Sequence, residues 1–394
     1  MVTDKDVIPS GTSSKGSTRP IICHVVDFSS KTPGSFIDAL VFLGLHCRER
    51  MKTETLFVFP EDAKGNSWLK RFEEQGILHG FISRDRASFL GVESLLHDKY
   101  RPLIFHSHFV SYDISTVLLK LLFHRHAKVV WHLHSRGTLN VLQRGKDLVK
   151  VRVIARSFVD RLIAVSEGVF DHSRARGFES EKLVVVHNGI EVNRFRPNQE
   201  VRERIRASLG ITGDQTVYLL LGWDPHTKGV DLFAKAAHRV AGSGARAGLF
   251  LIIGEARTRE FMTNLPEAVR LGATLRVIDP VQDFAAFLNA VDVVVSASRS
   301  EGLPYAILEG MAAGKLILSS DIPGVRETYG GSRGVGLFPP ADWMMLATCM
   351  KNASDLSIVE RRVLGDANSR YVAQHYSLTA WADQIADVYE ALLH

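Results

Sequence analysis

VDVVVSASRSEGLPYAILEGMAAGKLILS, residues 291–319, contains a strand pattern, a helix pattern and a second strand pattern in succession. The apolar residues at its start and those at 316–319 form short runs typical of buried strands. Between these runs, apolar residues recur at helical spacing from Ile307 to Ala312. Pro304 precedes them, in a first helical turn where a missing N–H costs nothing. This order predicts a βαβ unit of a parallel sheet.

The same alternation of strand and helix patterns extends from Ile21 through most of the chain. In the first half, strands are predicted at 21–26, 55–59, 103–106, 129–133, 162–165 and 183–186. In the second half, they are predicted at 216–221, 249–253, 275–278, 291–296 and 316–319. This order indicates an α/β protein with two doubly wound, Rossmann-like parallel sheets, each covered by helices on both faces.

A polar segment separates the two series of strands. Residues 189–199, GIEVNRFRPNQ, carry Pro197 and lack an apolar period. The sequence therefore predicts an N-terminal Rossmann-like domain at 20–196 and a C-terminal one at 197–375.

The two ends of the chain have different patterns. Residues 1–19 are polar and lack the apolar core of a signal peptide, so we expect a flexible tail. Residues 379–394 have apolar side chains at helical spacing. A helix over about 376–394 is expected to pack back on the first domain.

Composition excludes several classes of protein. The chain has 394 residues, 45% hydrophobic and 23% charged, which excludes disordered, collagen-like and coiled-coil proteins. A net charge of +5 is too small to indicate nucleic-acid binding. The cysteines, Cys23, Cys47 and Cys349, form no C-x-x-C pair, so neither a disulfide framework nor a thiolate zinc site is predicted. This cysteine usage fits a reducing cytoplasm, and without an apolar run of about 20 residues we expect no transmembrane segment.

Glu301 and Glu309 flank the start of the helix that follows Pro304. Backbone N–H groups near Leu303 and Tyr305 are expected to form an anion site at that helix start. An ionised glutamate accepts hydrogen bonds from neighbouring hydroxyls. Ligands bind at the carboxyl ends of parallel strands, and two facing sheets would form a cleft between them. The pattern therefore indicates a nucleotide sugar, with a ribose at one end and a hexose at the other.

The stretch 298–324 resembles the Glu-x7-Glu motif of the retaining GT-B glycosyltransferases of the GT4 family. Four further segments resemble parts of that family: VVWHLHSRG at 129–137, AVSEGV at 164–169, VVVHNGIEVNRFRP at 184–197 and WDPHTKGVDLFAKA at 223–236. The resemblance covers most of the chain and implies a GT-B fold, with two Rossmann-like domains facing across a cleft.

The resemblance assigns roles to individual residues. It implies that Glu301 holds hydroxyls of the donor sugar, Glu309 holds the ribose hydroxyls, and His134 lies next to the transferred sugar. The donor diphosphate would be bound by Lys228, Gly222, Trp223, Gly302, Leu303 and Tyr305. The loop near acceptor and phosphate would consist of Pro33, Gly34 and Ser35.

Three departures from the family pattern concern anion binding, and one of them is that Pro304 lacks the N–H that some members offer at the helix start. Trp223 stands where the donor loop usually carries an arginine, so Arg299 and Arg326 are candidate substitutes. Pro33 and Gly34 replace paired glycines in the first loop, which restricts the approach of backbone to an anion.

Histidines recur in i, i+2 pairs, whose members share a face when they lie on a strand. The pairs are His106 and His108, His124 and His126, and His132 and His134. His132 and His134 could bind Zn²⁺, and a structural role stays open for each of these rings. No Asp-x-Asp pair follows a predicted strand, where it could hold Mg²⁺ between phosphates, so no metal and no cofactor are expected.

Residues 141–162 carry an excess of basic side chains mixed with apolar ones. This pattern fits either a solvated helix face or contact with anionic membrane lipid or a phosphorylated acceptor.

The leading hypothesis is a metal-independent, retaining glycosyltransferase that moves a hexose from a nucleotide diphosphate sugar to a hydroxyl acceptor. The alternatives are a non-catalytic GT-B subunit, a nucleotide-sugar epimerase or sugar phosphorylase on the same scaffold, and a metal-dependent hydrolase that uses the histidine pairs.

Overall fold

The computed structural model describes residues 18–85, 87–136, 149–213, 215–242 and 248–394. The chain forms two compact units: the first ends at Gly189 and includes Leu378–His394, and the second is Ile190–Ser377. The division thus falls after Gly189 rather than after residue 196. Arg19, which the sequence places in the N-terminal tail, begins the first strand, and the tail residues up to 17 lie outside the described residues.

The first unit contains a seven-stranded sheet in which paired strands are parallel. Its strands are β1 (Arg19–Val26), β2 (Glu54–Pro60), β3 (Leu78–Ile82), β4 (Tyr100–His108), β5 (Lys128–Leu133), β6 (Arg161–Ala164) and β7 (Leu183–Val185). Their order is β3-β2-β1-β4-β5-β6-β7.

The second unit contains a six-stranded parallel sheet. Its strands are β8 (Thr216–Leu221), β9 (Gly248–Ile253), β10 (Leu275–Ile278), β11 (Val293–Ser296), β12 (Leu316–Ser320) and β13 (Val335–Phe338). Their order is β10-β9-β8-β11-β12-β13, so the order in which successive strands are added reverses between β8 and β11. Ligands of open α/β sheets bind at such a reversal.

Helices connect most of these strands. They are α1 (Gly34–Arg50), α2 (Lys70–Glu74), α3 (Ser88–Leu96), α4 (Asp113–Leu122), α5 (Arg156–Phe158), α6 (Glu167–Arg176), α7 (Gln199–Ser208), α8 (Val230–Ala241), α9 (Ala256–Thr263), α10 (Pro266–Leu271), α11 (Phe284–Leu288), α12 (Tyr305–Ala312), α13 (Val325–Tyr329), α14 (Trp343–Asp355), α15 (Ile358–His375) and α16 (Leu378–Leu393). A π-helical turn, Lys150–Ala155, leads into α5. Short 3₁₀ turns lie at Glu61–Ala63, Ser67–Leu69, Ser180–Lys182, Val192–Phe195 and Gly272–Thr274.

Alternate residues of β1 contribute to two different apolar clusters. Ile21 and Val25 pack with side chains of α3 and α4, whereas Ile22 packs with α1 and α16. This period of two is expected of a strand whose sheet is covered on both faces. His24 follows Ile22 by two residues, and it is fully buried. The apolar pattern of β1 therefore places an imidazole inside the sheet face that α16 covers.

The C-terminal helix α16 belongs to the first unit, although it follows the second unit in sequence. Trp381, Ile385 and Tyr389 are buried in the cluster that contains Ile22. Arg50 at the end of α1 donates to carboxylates of α16, with its nitrogens 2.5 Å from Asp387 and 2.7 Å from Glu390. The last helix thus completes one face of the first sheet.

Candidate active site

Lys228 and Glu301 form a largely buried ion pair in the second unit. Lys228 Nζ lies 2.6 Å from Glu301 Oε1, and Ser298 Oγ donates to the same oxygen at 2.6 Å. Lys228 follows β8 and Glu301 follows β11, and these two strands are adjacent. The structure therefore brings together two of the predicted residues at the point where the strand order reverses.

The loop that carries Lys228 is held against the loop that carries Glu301. The backbone N–H of Arg299 donates to the carbonyl of Thr227 at 2.8 Å. Gly229 has φ of 69°, and a Cβ at this position would lie 2.1 Å from the carbonyl oxygen of Ala297. Only glycine fits both the left-handed backbone and the close approach. Lys228 is thereby positioned by backbone contacts on either side of it.

Trp223 covers the ammonium group of Lys228. The indole is about half exposed, and Lys228 Nζ lies 4.7 Å from its ring centroid. This distance is within the range of a cation–π interaction. The residue that replaces the usual arginine of this loop therefore contacts the lysine through its ring face. Gly222, just before Trp223, lies close to the side chains of Ile252 and Val230. An added Cβ at Gly222 would lie 2.8 Å from Ile252 and 2.9 Å from Val230.

The two arginines considered as substitutes are both engaged with carboxylates. Arg299 donates to both oxygens of Asp231, at 2.9 and 2.7 Å. Burial is the largest single influence on the pKa of Asp231 and raises it, but the hydrogen bonds and charge of Arg299, together with backbone hydrogen bonds, lower that pKa overall. Arg326 forms a similar forked pair with Asp321 on the surface, and its hydrogen bonds lower the pKa of that carboxyl. Each guanidinium has an intramolecular partner in place of a phosphate.

The helix α12 begins at Tyr305. Pro304 lies just before it, in the N-cap position with extended backbone, rather than in the first helical turn. Leu303 is buried, and Glu309 lies in the middle of the helix with only 4% of its surface exposed. The Gly302 carbonyl packs against Gly324, where an added Cβ would lie 2.0 Å from that oxygen.

The predicted acceptor loop lies in the first unit, after β1. Pro33 is the N-cap of α1, which begins at Gly34 with φ of 56°, and Ser35 is buried. The preceding segment is fixed by Trp68, whose Nε1 donates to the carbonyl of Ser30 at 2.9 Å. This loop therefore has a defined conformation at the carboxyl end of a central strand.

Five histidines form a cluster in the first unit, and four of them belong to the predicted pairs. The histidine cluster consists of His24 on β1, His106 and His108 on β4, His132 on β5 and His134 directly after β5. Stacked ring centroids lie 4.3 Å apart for His106 and His108 and 4.2 Å apart for His132 and His134.

His24 was missed by the sequence analysis, because it has no histidine at i+2. The register of the sheet is the signal that finds it, since His24 pairs directly with His106 across β1 and β4. The remaining predicted pair lies elsewhere: His124 Nε2 is 2.6 Å from Glu93, and neither His124 nor His126 joins the cluster.

Hydrogen bonds connect three of the five rings. His24 Nδ1 lies 3.0 Å from His108 Nε2, and His108 Nδ1 lies 3.2 Å from His134 Nε2. Burial lowers the pKa of His24 and of His134 to about 3. Burial also lowers the pKa values of His106, His108 and His132 well below 6.5, and the neighbouring imidazoles lower them further. All five rings are therefore neutral near pH 7.

Two triads in the cluster have ligand nitrogens close enough together for a metal ion. They are His24, His106 and His108, and His108, His132 and His134, with nitrogens within 4.8 Å of one another. Histidine ligands usually donate their other N–H to a carboxylate or carbonyl. Among the described residues, neither nitrogen of His132 has a partner, and His24 Nε2 has none. The spacing suits a metal such as Zn²⁺, whereas the surroundings lack the usual supporting groups.

The basic stretch 141–162 is described only from residue 149 onward. Lys150 points inward, with Nζ 2.6 Å from the buried carboxylate of Asp113 and 5.1 Å from the Trp131 ring centroid. Val149 and Val153 are more than half exposed. The described part therefore departs from a uniformly solvated basic face, because one of its lysines anchors it to the sheet. None of the described helices combines the length and the apolar character needed to cross a membrane.

Two protein families match the chain. The family described as Glycosyltransferase Family 4 matches residues 60–194, mostly in the first unit. The family described as Glycosyl transferases group 1 matches residues 215–355, within the second unit.

Curated relatives share about a quarter of the aligned residues. A putative teichuronic acid biosynthesis glycosyltransferase, TuaC, from Bacillus subtilis is 24% identical over 62% of this chain and 57% of its own length. A D-inositol 3-phosphate glycosyltransferase from Streptomyces avermitilis is 26% identical over 59% of this chain and 52% of its own length. The chain thus spans little more than half the length of these relatives.

Solved structures share the fold over nearly the whole chain. A glycosyltransferase from Rickettsia africae superimposes with a TM-score of 0.78, 18% identity and coverage of 96% of this chain and 99% of its own. Anabaena HepE in complex with UDP-glucose gives a TM-score of 0.78, 16% identity and coverage of 94% and 100%. The solved structures show the GT-B fold, and the two family matches, which extend over most of both units, show that the chain belongs to the GT4-type glycosyltransferases.

Proposed function

We propose that this protein transfers a hexose from a nucleotide diphosphate sugar to a hydroxyl acceptor, with retention of configuration and without a metal ion. The observation that carries the proposal is the Lys228–Glu301 pair at the ends of β8 and β11. It places one cation and one carboxylate side by side at the ligand-binding edge of a parallel sheet.

A donor with a diphosphate and a hexose satisfies both members of that pair. Lys228 would neutralise the diphosphate, and Glu301 would accept hydrogen bonds from sugar hydroxyls. Gly302, Leu303 and Tyr305 would present the start of α12 to the phosphates. The protein supplies positioning and charge stabilisation, and the leaving phosphate would take the acceptor's proton, so no side-chain nucleophile is needed.

Two further residues complete the assignment. Glu309 on α12 would hold the ribose hydroxyls, and His134 would contact the transferred hexose. The loop of Pro33, Gly34 and Ser35 would lie near acceptor and phosphate. Because HepE is described in complex with UDP-glucose, a uridine diphosphate hexose is the first donor to test. We expect the protein to act in the cytoplasm, with contact to anionic lipid at the membrane surface when the acceptor is lipid-linked.

A thermal-shift panel tests this proposal. The ligands are UDP, GDP, ADP, dTDP and their hexose conjugates, each with and without EDTA. A ligand at 100 times its Kd stabilises by about 2.7 kcal/mol, which is several degrees in Tm for domains of this size. We expect a shift with one nucleotide family that EDTA leaves unchanged. The absence of any shift, or a shift that EDTA abolishes, would contradict the proposed donor site.

A non-catalytic subunit of the same fold is the second candidate, and Trp223 favours it. The indole lies against the ammonium group of Lys228, at the position where the family pattern carries an arginine. This candidate predicts no nucleotide binding by the wild type, whereas the transferase predicts binding and release of nucleotide on addition of an acceptor.

A further inference from the structure

Three members of the histidine cluster form a continuous hydrogen-bonded chain, His24–His108–His134, here called the imidazole chain. It runs from β1 through β4 to the end of β5, with nitrogen–nitrogen distances of 3.0 and 3.2 Å. A neutral imidazole has one N–H donor and one acceptor nitrogen. Because every ring in the chain is neutral, the protons in both hydrogen bonds must run in the same direction.

The end of the imidazole chain at His24 determines the direction in which both hydrogen bonds donate. His24 Nε2 is buried and has no hydrogen-bond partner. A buried N–H without a partner is rarer and costlier than a buried acceptor without one. His24 therefore carries its proton on Nδ1 and donates to His108 Nε2. His108 then carries its proton on Nδ1 and donates to His134 Nε2, which leaves the proton of His134 on Nδ1.

We propose that His24 and His108 are positioning residues that hold His134 as the neutral Nδ1–H tautomer, so that His134 acts as a hydrogen-bond donor to an oxygen of the bound sugar. The ligand part of this inference rests on the proposed function, whereas the tautomer stands on the first unit alone. Two residues that touch no ligand thus specify the polarity of one that does.

The surroundings of the chain leave this proton order undisturbed. The rings that face the imidazole chain are His106, His132, Phe36, Phe57, Phe109 and Tyr389. Neither His106 nor His132 is hydrogen bonded to the imidazole chain, and His106 Nδ1 is bonded to Tyr389 at 2.5 Å. Among the described residues, no carboxylate contacts the imidazole chain, so its three rings lack a partner that would favour the charged imidazolium form.

Nitrogen-detected imidazole spectra of uniformly ¹⁵N-labelled protein test the tautomer directly. We expect His134 and His108 each to show a protonated Nδ1 and a bare Nε2, with no change between pH 5.5 and 8. A protonated Nε2 on His134 in the wild type would overturn the inference, and so would stoichiometric zinc bound by these rings in the purified protein. Neither result depends on transferase activity.

A matched pair of variants tests the role of His24. In His24→Asn the side-chain amide nitrogen takes nearly the place of Nδ1, so the N–H donor to His108 is kept. In His24→Phe the ring still stacks on Phe57, but that donor is lost. We expect His24→Asn to preserve the Nδ1–H tautomer of His134 and His24→Phe to yield a mixture. His79→Phe, in the same sheet among aromatic rings but outside the chain, is the control.

The same variants give a kinetic readout. We expect kcat to fall by about 2- to 10-fold in His24→Phe, the range of one neutral hydrogen bond, with the donor KM unchanged and kcat restored in His24→Asn. Equal kcat in the Asn and Phe variants would overturn the positioning role. If neither wild type nor variants transfer sugar, the proposed function fails while the spectra still decide the tautomer.

Discussion

Glu309 lies buried in α12, and Glu301 lies in the loop before that helix, so the two glutamates have different surroundings. We expect Glu309→Ala to weaken binding of the free nucleoside diphosphate by about 1.5–3 kcal/mol, the range for a hydrogen bond to a charged group. Glu301→Ala should abolish turnover while the free nucleotide still binds, because its hydroxyl partners belong to the sugar. Calorimetric titration with the nucleoside diphosphate measures binding in both variants, and a sugar-transfer assay measures turnover. An unchanged affinity in Glu309→Ala would refute the ribose assignment.

Trp223 permits a second test at the scale of one residue. Trp223→Arg restores the cation of the family pattern beside Lys228. We expect nucleoside diphosphate affinity to rise by about 3- to 10-fold at low salt, because a charge-assisted hydrogen bond to phosphate is partly offset by repulsion from Lys228. Trp223→Gln is the uncharged control. If the Arg and Gln variants bind equally well, the position does not face the diphosphate.

At the scale of elements, the sequence predicted every strand of the two sheets except β3 and β13, and the terminal strands β7 and β10 were among those predicted. β3 and β13 each form one terminal strand of a sheet, are partly exposed, and contain a glycine, Gly80 or Gly336. A glycine lowers strand propensity and adds no side chain to a short apolar pattern, which distinguishes these two strands from β7 and β10. Gly80 has a packing reason of its own, because an added Cβ would lie 2.8 Å from Leu95 of α3.

The candidate site was predictable only where it depends on local sequence. Glu301, Glu309 and Lys228 follow strands whose apolar runs are visible in the sequence, so their place at the sheet edge follows from the βαβ order. The ion pair between Lys228 and Glu301 required the adjacency of β8 and β11, which no local pattern gives. His24 likewise entered the histidine cluster through the register of β1 against β4.

The loop after β8 gives a prediction at this scale. Gly229→Ala places a side chain on a left-handed backbone and against the Ala297 carbonyl. Gly210→Ala is the matched control, because Gly210 has φ of 66° but nothing lies within 4 Å of an added Cβ. We expect about 1 kcal/mol of destabilisation for Gly210→Ala from the backbone alone, and more for Gly229→Ala. Chemical denaturation of both measures it. Equal losses of unfolding free energy would mean that the close approach of Gly229 to the Ala297 carbonyl does not contribute to stability.

For the whole molecule, the histidine cluster makes stability depend on pH. The folded-state pKa values of all five rings lie below the unfolded value of about 6.5, with those of His24 and His134 at about 3. Between those values the unfolded chain binds more protons than the folded one. The stabilisation is therefore present above pH 6.5 and is lost as the pH falls below it, by at most about 1.4 kcal/mol per pH unit for each ring.

Other shifted groups act in separate pH ranges or with the opposite sign. Burial lowers the pKa of Lys315 in the second unit to about 8, so its effect falls above that value. Burial raises the pKa of Asp113, which opposes the histidines as the pH falls. We expect Tm to decline between pH 7 and 5, and His24→Asn to reduce the slope by about one proton in the unfolding equilibrium relative to wild type. Scanning calorimetry at half-unit pH intervals measures both. Parallel curves of Tm against pH for wild type and variant would contradict this prediction. They would mean that His24 binds a proton equally well in the folded and the unfolded chain, although it is buried on β1 between β2 and β4.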